Sequence, residues 1–312
     1  MRKIIMRIKV IINPKSKNGN HKDLKAVFQE KFTRHHLDIE QTAYPGHATH
    51  MARQAAKENI DTVVAVGGDG TVNEVLNGIA GTNVALGIIP TGTANDLATL
   101  YRIPADIDQA PEVILKHRLQ SADVISVNDR YYVTCGGLGF PCQVVRIANR
   151  IKHHTLIGKP VARILGSKLY VLAVICAILK KRRTADLLSV QWNGSSMRVD
   201  PLWVMVSNQP FLGKNFQISP GAANNDGMFD LCLVENRKNR FQVLSIVKKV
   251  MAGRHIYSPC VKTWRTSELT LKSKRPVPFF GDGELFEQKQ NFSIKIMPGA
   301  LNLIVPQAIS GA

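Results

Sequence analysis

The sequence predicts two structural parts, an α/β part on a parallel sheet and then a mainly antiparallel β part. Three observations predict this. Up to about residue 101, apolar runs of strand length alternate strictly with helical patterns, which requires a parallel sheet covered on both faces. After about Leu119 the runs become short, apolar or alternating, and sit between turn residues, as antiparallel strands do. At 312 residues and 45% apolar content the chain is long enough for two cores. No internal repeat or low-complexity tract interrupts it.

In order, residues 8–12 read as a buried strand, followed by the loop 13–19 and a helix around 24–32. A strand at 37–42 leads to a helix opened by Gly46-His47-Ala48 and running to residue 55. Strand 62–66, helix 72–76, strand 84–89 and helix 95–101 complete the alternating series. In the second part, strands are expected at 122–127, 131–135, 187–192, 202–207, 228–233, 269–271 and 292–297. Helices are expected near 144–152, 165–179 and 241–251.

The net charge of +18 points to an anionic partner, whether nucleic acid, an acidic membrane surface or a phosphorylated substrate, or else to a solvated basic surface; charge alone does not choose. Aromatic residues make up only 6%, which argues against the stacking platforms of nucleic-acid binders. Five scattered cysteines with no C-x-x-C pair read as reduced thiols in a cytoplasmic protein, not as a disulfide framework or zinc site. The N-terminal apolar run is broken by basic residues and has no cleavage site, so no secretory signal is expected. Residues 169–179 form the most apolar stretch, followed by Lys180-Lys181-Arg182-Arg183. Eleven residues rise only ~16 Å as a helix, too little to span a bilayer. The stretch reads either as a buried helix or as one lying in the membrane interface with its basic end on lipid phosphates.

Two corners concentrate the polar chemistry. Gly67-Gly68-Asp69-Gly70-Thr71-Val72-Asn73-Glu74-Val75 follows a strand and opens a helix. Thr71-x-x-Glu74 fits a capping box, but that does not account for three glycines, whose amides can approach phosphate closely. An acid among them, Asp69, requires a cation or a fixed donor network nearby. Pro90-Thr91-Gly92-Thr93-Ala94-Asn95-Asp96-Leu97-Ala98 repeats the strand, turn and polar helix start. Two such corners side by side make a crevice at the sheet's carboxyl edge, where open α/β sheets bind ligands. The P-loop pattern, the protein-kinase triplets and a correctly placed G-x-G-x-x-G are all absent.

These two motifs, with Asn13-Pro14, Asp226-Gly227-Met228-Phe229-Asp230 and Gly281-Asp282-Gly283-Glu284, resemble the diacylglycerol kinase catalytic domain family over nearly the whole chain. The similarity is closest to the bacterial branch related to sphingosine and ceramide kinases. It implies an α/β domain like that of NAD kinases and phosphofructokinases, a β-sandwich domain, and an active-site cleft between them. The expected division is 1–121, completed by 300–312, for nucleotide, and 122–299 for lipid. The implied activity is an ATP-dependent lipid kinase acting on diacylglycerol, phosphatidylglycerol or a sphingoid base. An NAD kinase-like enzyme and a non-catalytic lipid binder are the alternatives.

By resemblance Asn13, Thr42, Gly67, Gly68, Asp69, Gly70, Thr71, Asn73 and Thr93 would contact ATP. Thr42 reads equally as a strand-end hydroxyl. Glu284 would be the catalytic carboxylate and Asp282 the runner-up, although Asp-Gly is also a favoured hairpin turn. Asp226 with the carbonyls of Ala223 and Met228 would hold a structural Mg²⁺, and Asp69 and Asp96 a Mg²⁺ on the nucleotide. An Asp-Gly turn before a strand describes 226–227 as well. Cys135-Gly136-Gly137-Leu138-Gly139-Phe140 would line the cleft or form a β-bulge. The expected setting is cytoplasmic with peripheral contact to anionic membrane; a homodimer is allowed, and nucleic acid is not expected.

Overall fold

The computed structural model describes residues 5–16, 21–92, 94–106, 108–153, 168–180, 187–213, 215–236 and 239–307. The chain divides into two compact units, Met1–Val124 with Met297–Ala312, and Ile125–Ile296.

In the first unit β1 (Arg7–Ile12), β2 (His36–Gln41), β3 (Thr62–Gly67) and β4 (Ala85–Pro90) run parallel in the order β2-β1-β3-β4. Asn302 and Leu303, near the end of the last strand, add to β4 in parallel. β3 and β4 are buried along their whole length, which explains their near-continuous apolar sequences: a strand covered on both faces has no polar side. β2 lies at the edge, with Leu37 and Ile39 half-buried and its charged residues exposed.

Five helices connect these strands: α1 (His21–Lys31), α2 (His47–Lys57), α3 (Asp69–Ile79), α4 (Asp96–Leu100) and α5 (Gln109–Lys116). Phe28 of α1 and Ala110, Val113 and Ile114 of α5 share a core with Val10, Val64 and Ile89 of the sheet. α2 and α3 pack against each other. The strand and helix alternation thus holds, with two differences. α3 begins at Asp69, three residues earlier than expected, because Gly68 is extended and the chain turns there. α5 was not expected; its first turn contains Pro111, which is tolerated where no intrahelical N–H is needed.

The second unit is a β-sandwich with helices on its outer side. One sheet pairs β7 (Cys135–Gly139), β10 (Pro201–Ser207), β13 (Phe229–Glu235), β14 (Val261–Thr266), β16 (Phe279–Gly281) and β17 (Glu284–Leu285) antiparallel, in the order β14-β13-β10-β7-β16-β17. The facing layer has β8 (Leu188–Trp192), β9 (Ser195–Val199), β15 (Glu268–Val277) and the first half of β18 (Lys289–Ile304). β5 (Leu119–Val127) and β6 (Arg130–Tyr132) form a hairpin, as do the short β11 (Phe211–Leu212) and β12 (Phe216–Gln217).

Side-chain alternation assigns the two faces of the first sheet. Val204, Val206, Phe229, Leu231 and Leu233 meet Leu188, Val190, Leu271, Phe292 and Ile294 between the sheets. The intervening Trp203, Met205, Cys232 and Val234 turn the other way, onto the helices Phe140–His153, Lys168–Lys180 and Arg240–Met251. That period of two follows from the pleat. None of the five cysteines is in a disulfide, and burial pushes the Cys142 and Cys232 thiols up to about 12. Among the described residues, no helix is long and apolar enough to cross a membrane.

The stretch around Gly137 departs from the bulge expectation. It is the strand β7, and its pairing with β10 runs unbroken from Trp203↔Gly139 to Ser207↔Cys135, so no bulge occurs there. A bulge lies instead between Pro201 and Trp203, where β10 pairs with β13. At Gly137, with φ 152°, an added Cβ would overlap the Val204 carbonyl of the neighbouring strand.

Candidate active site

The order β2-β1-β3-β4 reverses direction between β1 and β3. Open parallel sheets form a crevice at such a point, outside the carboxyl ends of the strands. The first unit has a recess there of about 140 Å³. Asn13 follows β1, Thr42 follows β2, and Thr71 and Glu74 lie on α3 after β3; all four line it. The Asn13 amide donates to the Val66 carbonyl at 3.0 Å and the Thr42 amide to the Ile12 carbonyl at 2.9 Å, extending the ladder past the strand ends. The Asn13 side-chain amide donates to the Thr71 hydroxyl at 3.0 Å. Three of the sequence-predicted nucleotide residues are thereby brought together.

Lys15 and Tyr44 also line the recess and had not been expected. Tyr44 is 57% exposed and stacks on His47 with 4.6 Å between ring centroids. Its only sequence signal was its place between Thr42 and the Gly46 helix start. Gly67, Gly68, Gly70 and Asn73 are not among the walls of this recess. Asn73 is buried, and its side-chain oxygen accepts from Asn77 at 3.2 Å. Thr93 lies outside the described residues.

The capping-box reading of Thr71 and Glu74 is corrected. α3 starts at Asp69 with Gly68 as its N-cap and no side-chain cap. Thr71 and Glu74 are therefore inside the helix, not at its start. Glu74 instead reaches across to α2, accepting from the amides of Gly46 at 2.9 Å and Ala48 at 3.1 Å. It thus caps a neighbouring helix whose own N-cap, Gly46, has no side chain to do so.

The glycine corners are explained first by packing. The Thr91 amide donates to the Gly67 carbonyl at 2.9 Å, which ties the two turns together. A Cβ on Gly68 would come within 3.0 Å of the Gly92 Cα, and one on Gly92 would overlap the Gly68 Cα. Backbone therefore stacks directly on backbone. Asp69 has the fixed donor network that its position among glycines required. Its carboxylate accepts from the amides of Asn95 at 2.9 Å and Asp96 at 2.6 Å, at the start of α4. Asn95 was not singled out from sequence. It adopts the left-handed conformation, φ 52°, and its side chain closes the turn on the Gly92 amide at 3.0 Å.

The second unit holds the other acids. Asp282 and Gly283, at φ 50° and 78°, form the two-residue turn between β16 and β17, a geometry that Asp-Gly favours. The Asp282 carboxylate accepts from the amides of Val133 at 3.2 Å and Thr134 at 2.8 Å, and from the Thr134 hydroxyl at 2.6 Å. It anchors the hairpin to the start of β7. Glu284, two residues on, is exposed.

In the loop before β13, Asp226 accepts from the Met228 amide at 3.1 Å and forms an ion pair with Arg265. Arg265 also lies 3.6 Å from Asp230, whose buried Oδ2 makes no hydrogen bond among the described residues. Burial, offset in part by Arg265, pushes the Asp230 carboxyl up to about 6. Two carboxylates against one guanidinium leave surplus negative charge in this loop, the kind of charge that oxygen-bound hard cations offset. Among the described residues no three His, Cys, Asp or Glu side chains cluster closely enough to hold a metal by themselves.

Residues 7–127 match the diacylglycerol kinase catalytic domain, and 142–305 match the YegS C-terminal NAD kinase beta sandwich-like domain. The chain is 27% identical to a diacylglycerol kinase of Bacillus subtilis (strain 168) over 284 residues, 89% of each chain. It is 28% identical to a diacylglycerol kinase of Staphylococcus aureus (strain JH9) over 290 residues, 89% of this chain and 86% of that one. A Bacillus anthracis str. Sterne protein proposed to be a diacylglycerol kinase has the same fold, with a TM-score of 0.77, 22% identity, and 98% and 99% of the two chains covered. With both domain models matched in order, the chain belongs to the diacylglycerol kinase-like family of lipid kinases, a catalytic domain followed by a YegS-type β-sandwich.

Proposed function

We propose that this protein transfers the γ-phosphoryl group of ATP to a hydroxyl of a membrane lipid of the diacylglycerol, phosphatidylglycerol or sphingoid class. The observation that carries the reading is the recess at the β1/β3 reversal, lined by Asn13, Thr42 and Thr71 beside two stacked glycine corners. The first corner ends β3 and opens α3, where first-turn amides and the helix dipole favour phosphate. Asn13, Thr42 and Thr71 hold the nucleotide, with the Gly67–Asn73 turn and Thr93 on its phosphates. Asp69 and Asp96 orient the magnesium ion that arrives with ATP. That ion spreads the charge developing on the phosphoryl oxygens.

Glu284 is the general base. The acceptor oxygen bonds to the γ-phosphorus as the bond to the ADP oxygen breaks, and the hydroxyl proton passes to the Glu284 carboxylate. Asp282 positions Glu284, since three donors already occupy its oxygens. Asp226 with the carbonyls of Ala223 and Met228 is the proposed structural magnesium site. The work is done at the cytoplasmic face of an anionic membrane.

The test is phosphoryl transfer from labelled ATP to mixed micelles of each lipid class, with NAD as a competing acceptor and EDTA as the metal-free control. Glu284→Ala should lower kcat by roughly 10²–10⁴-fold with the melting temperature unchanged. Full turnover in that variant, or activity on NAD alone, would overturn the assignment.

A further inference from the structure

The second unit carries an apolar face that a protein surrounded by water would leave polar. Helix Arg240–Met251 buries Val243, Ile246, Val247 and Val250. Its opposite side exposes Phe241 at 79%, Leu244 at 37% and Met251 at 46%. Their spacing of three and seven residues puts them on one stripe, with Lys248 between them. The neighbouring helix Lys168–Lys180 repeats the pattern. It buries Ala173, Val174 and Ala177 in the same core and exposes Leu172, Ile175 and Leu179. The two helices touch and lie on the same face of one sheet, so their outer sides point the same way. Just past the first helix, Tyr257 is 82% exposed.

The charges on this face have one sign. Residues 240–258 include Arg240, Lys248, Lys249 and Arg254 and no acid, and residues 168–180 include no acid either. Exposed apolar rows rimmed only by cations suit an anionic bilayer surface: the rows enter the acyl boundary while the long basic side chains reach lipid phosphates. A second copy of the chain fits poorly, because a two-fold interface would set these cations against their own copies.

We infer that the outer sides of the helices Lys168–Lys180 and Arg240–Met251 form the platform by which this protein docks, without spanning, on an anionic lipid surface. The choice of occupant rests on the lipid-kinase reading, and it names where on the molecule membrane contact occurs. Phe241, Leu244 and Met251 insert, while Lys248 and Arg254 select for anionic headgroups.

The test is co-sedimentation of the full chain with vesicles of phosphatidylcholine, with and without phosphatidylglycerol. Wild-type protein should prefer the phosphatidylglycerol vesicles. Phe241→Ser/Leu244→Ser/Met251→Ser should bind both kinds about tenfold or more weakly. Lys248→Glu/Arg254→Glu should lose about tenfold on the anionic vesicles alone. Both variants should keep the wild-type melting temperature and the wild-type turnover on a short-chain diacylglycerol in detergent micelles. Wild-type binding by the apolar variant, or no vesicle binding by the wild type, would overturn the platform. So would a wild-type dimer that the apolar variant disperses, since a second copy would then be the occupant. Vesicle binding lost in the variants of a protein that phosphorylates no lipid would support the platform while refuting the kinase reading.

Discussion

Two glycine-rich stretches, Gly67-Gly68-Asp69-Gly70 and Cys135-Gly136-Gly137-Leu138-Gly139, look alike on the page and do opposite things. The first lies where β3 ends and the backbone turns into α3; its partner across the corner is another turn, at Gly92. The second lies inside a sheet, between β10 and β16, where a side chain would strike neighbouring strand carbonyls. Glycine brings backbones together in both. At the sheet's end this builds a corner beside a recess; within the sheet it lets three strands pair closely. Glycine content alone therefore does not mark a site. The position of the glycines relative to strand ends does.

The comparison can be broken most sharply by Gly137→Ala. Overlap with the Val204 carbonyl and a φ of 152° should cost about 3 kcal/mol or more, seen as a large drop in the urea midpoint of the second unit. Gly92→Ala should cost less stability, about 1–2 kcal/mol, because turns yield more readily than paired strands. It should instead weaken ATP binding by calorimetry, since its Cβ displaces Gly68. If Gly92→Ala binds ATP normally, the corner has no part in holding nucleotide.

The smallest expected effect concerns a buried histidine of the second unit. His255 is fully buried in the second unit. Its Nε2–H donates to the Ile218 carbonyl at 2.9 Å, and its Nδ1 has no hydrogen-bond partner among the described residues. Burial holds its pKa below the usual 6.5, so the unfolded chain is the better proton acceptor. Its contribution is whole above about pH 6.5 and drains as pH falls toward the folded value. Asp230 in the same unit, raised to about 6, acts in the opposite sense, so the readout is a difference: in thermal melts from pH 7.5 to 5, His255→Gln should lose less stability on acidification than the wild type.

Much of the fold was legible because period and burial agree. β3 and β4 are almost wholly apolar since they are covered on both faces, and β1 is buried from Ile8 to Ile12 with Lys9 paired to Asp38 and Glu40. β9 and β14 were missed because edge strands carry polar residues on their open side, as Ser195, Ser196, Lys262 and Thr263 do here. β18 was read only at 292–297 because Pro298-Gly299 looks like a terminator. The strand passes through it, with Gly299 at φ 61° and its amide bonded to Asp123 at 2.8 Å.

The recess was legible where residues lie just past strand ends, Asn13 and Thr42 directly and Thr71 in the first turn of α3. It was not legible where side chains act across elements. Glu74 serves α2, Asp69 serves α4, and Asp282 serves β7, and each of those partners is at least 26 residues away. Local spacing offered each acid a nearer task, and long-range geometry gave it another.

The course of β18 carries a consequence for biosynthesis. Its last residues supply the strand that pairs with β4, so the first unit, begun first at the ribosome, waits for Asn302 and Leu303 before its sheet edge is sealed. A fragment ending at Val124 would leave β4 uncovered and prone to self-association. Nascent chains stalled before residue 300 should therefore depend on chaperones in a way the released protein does not.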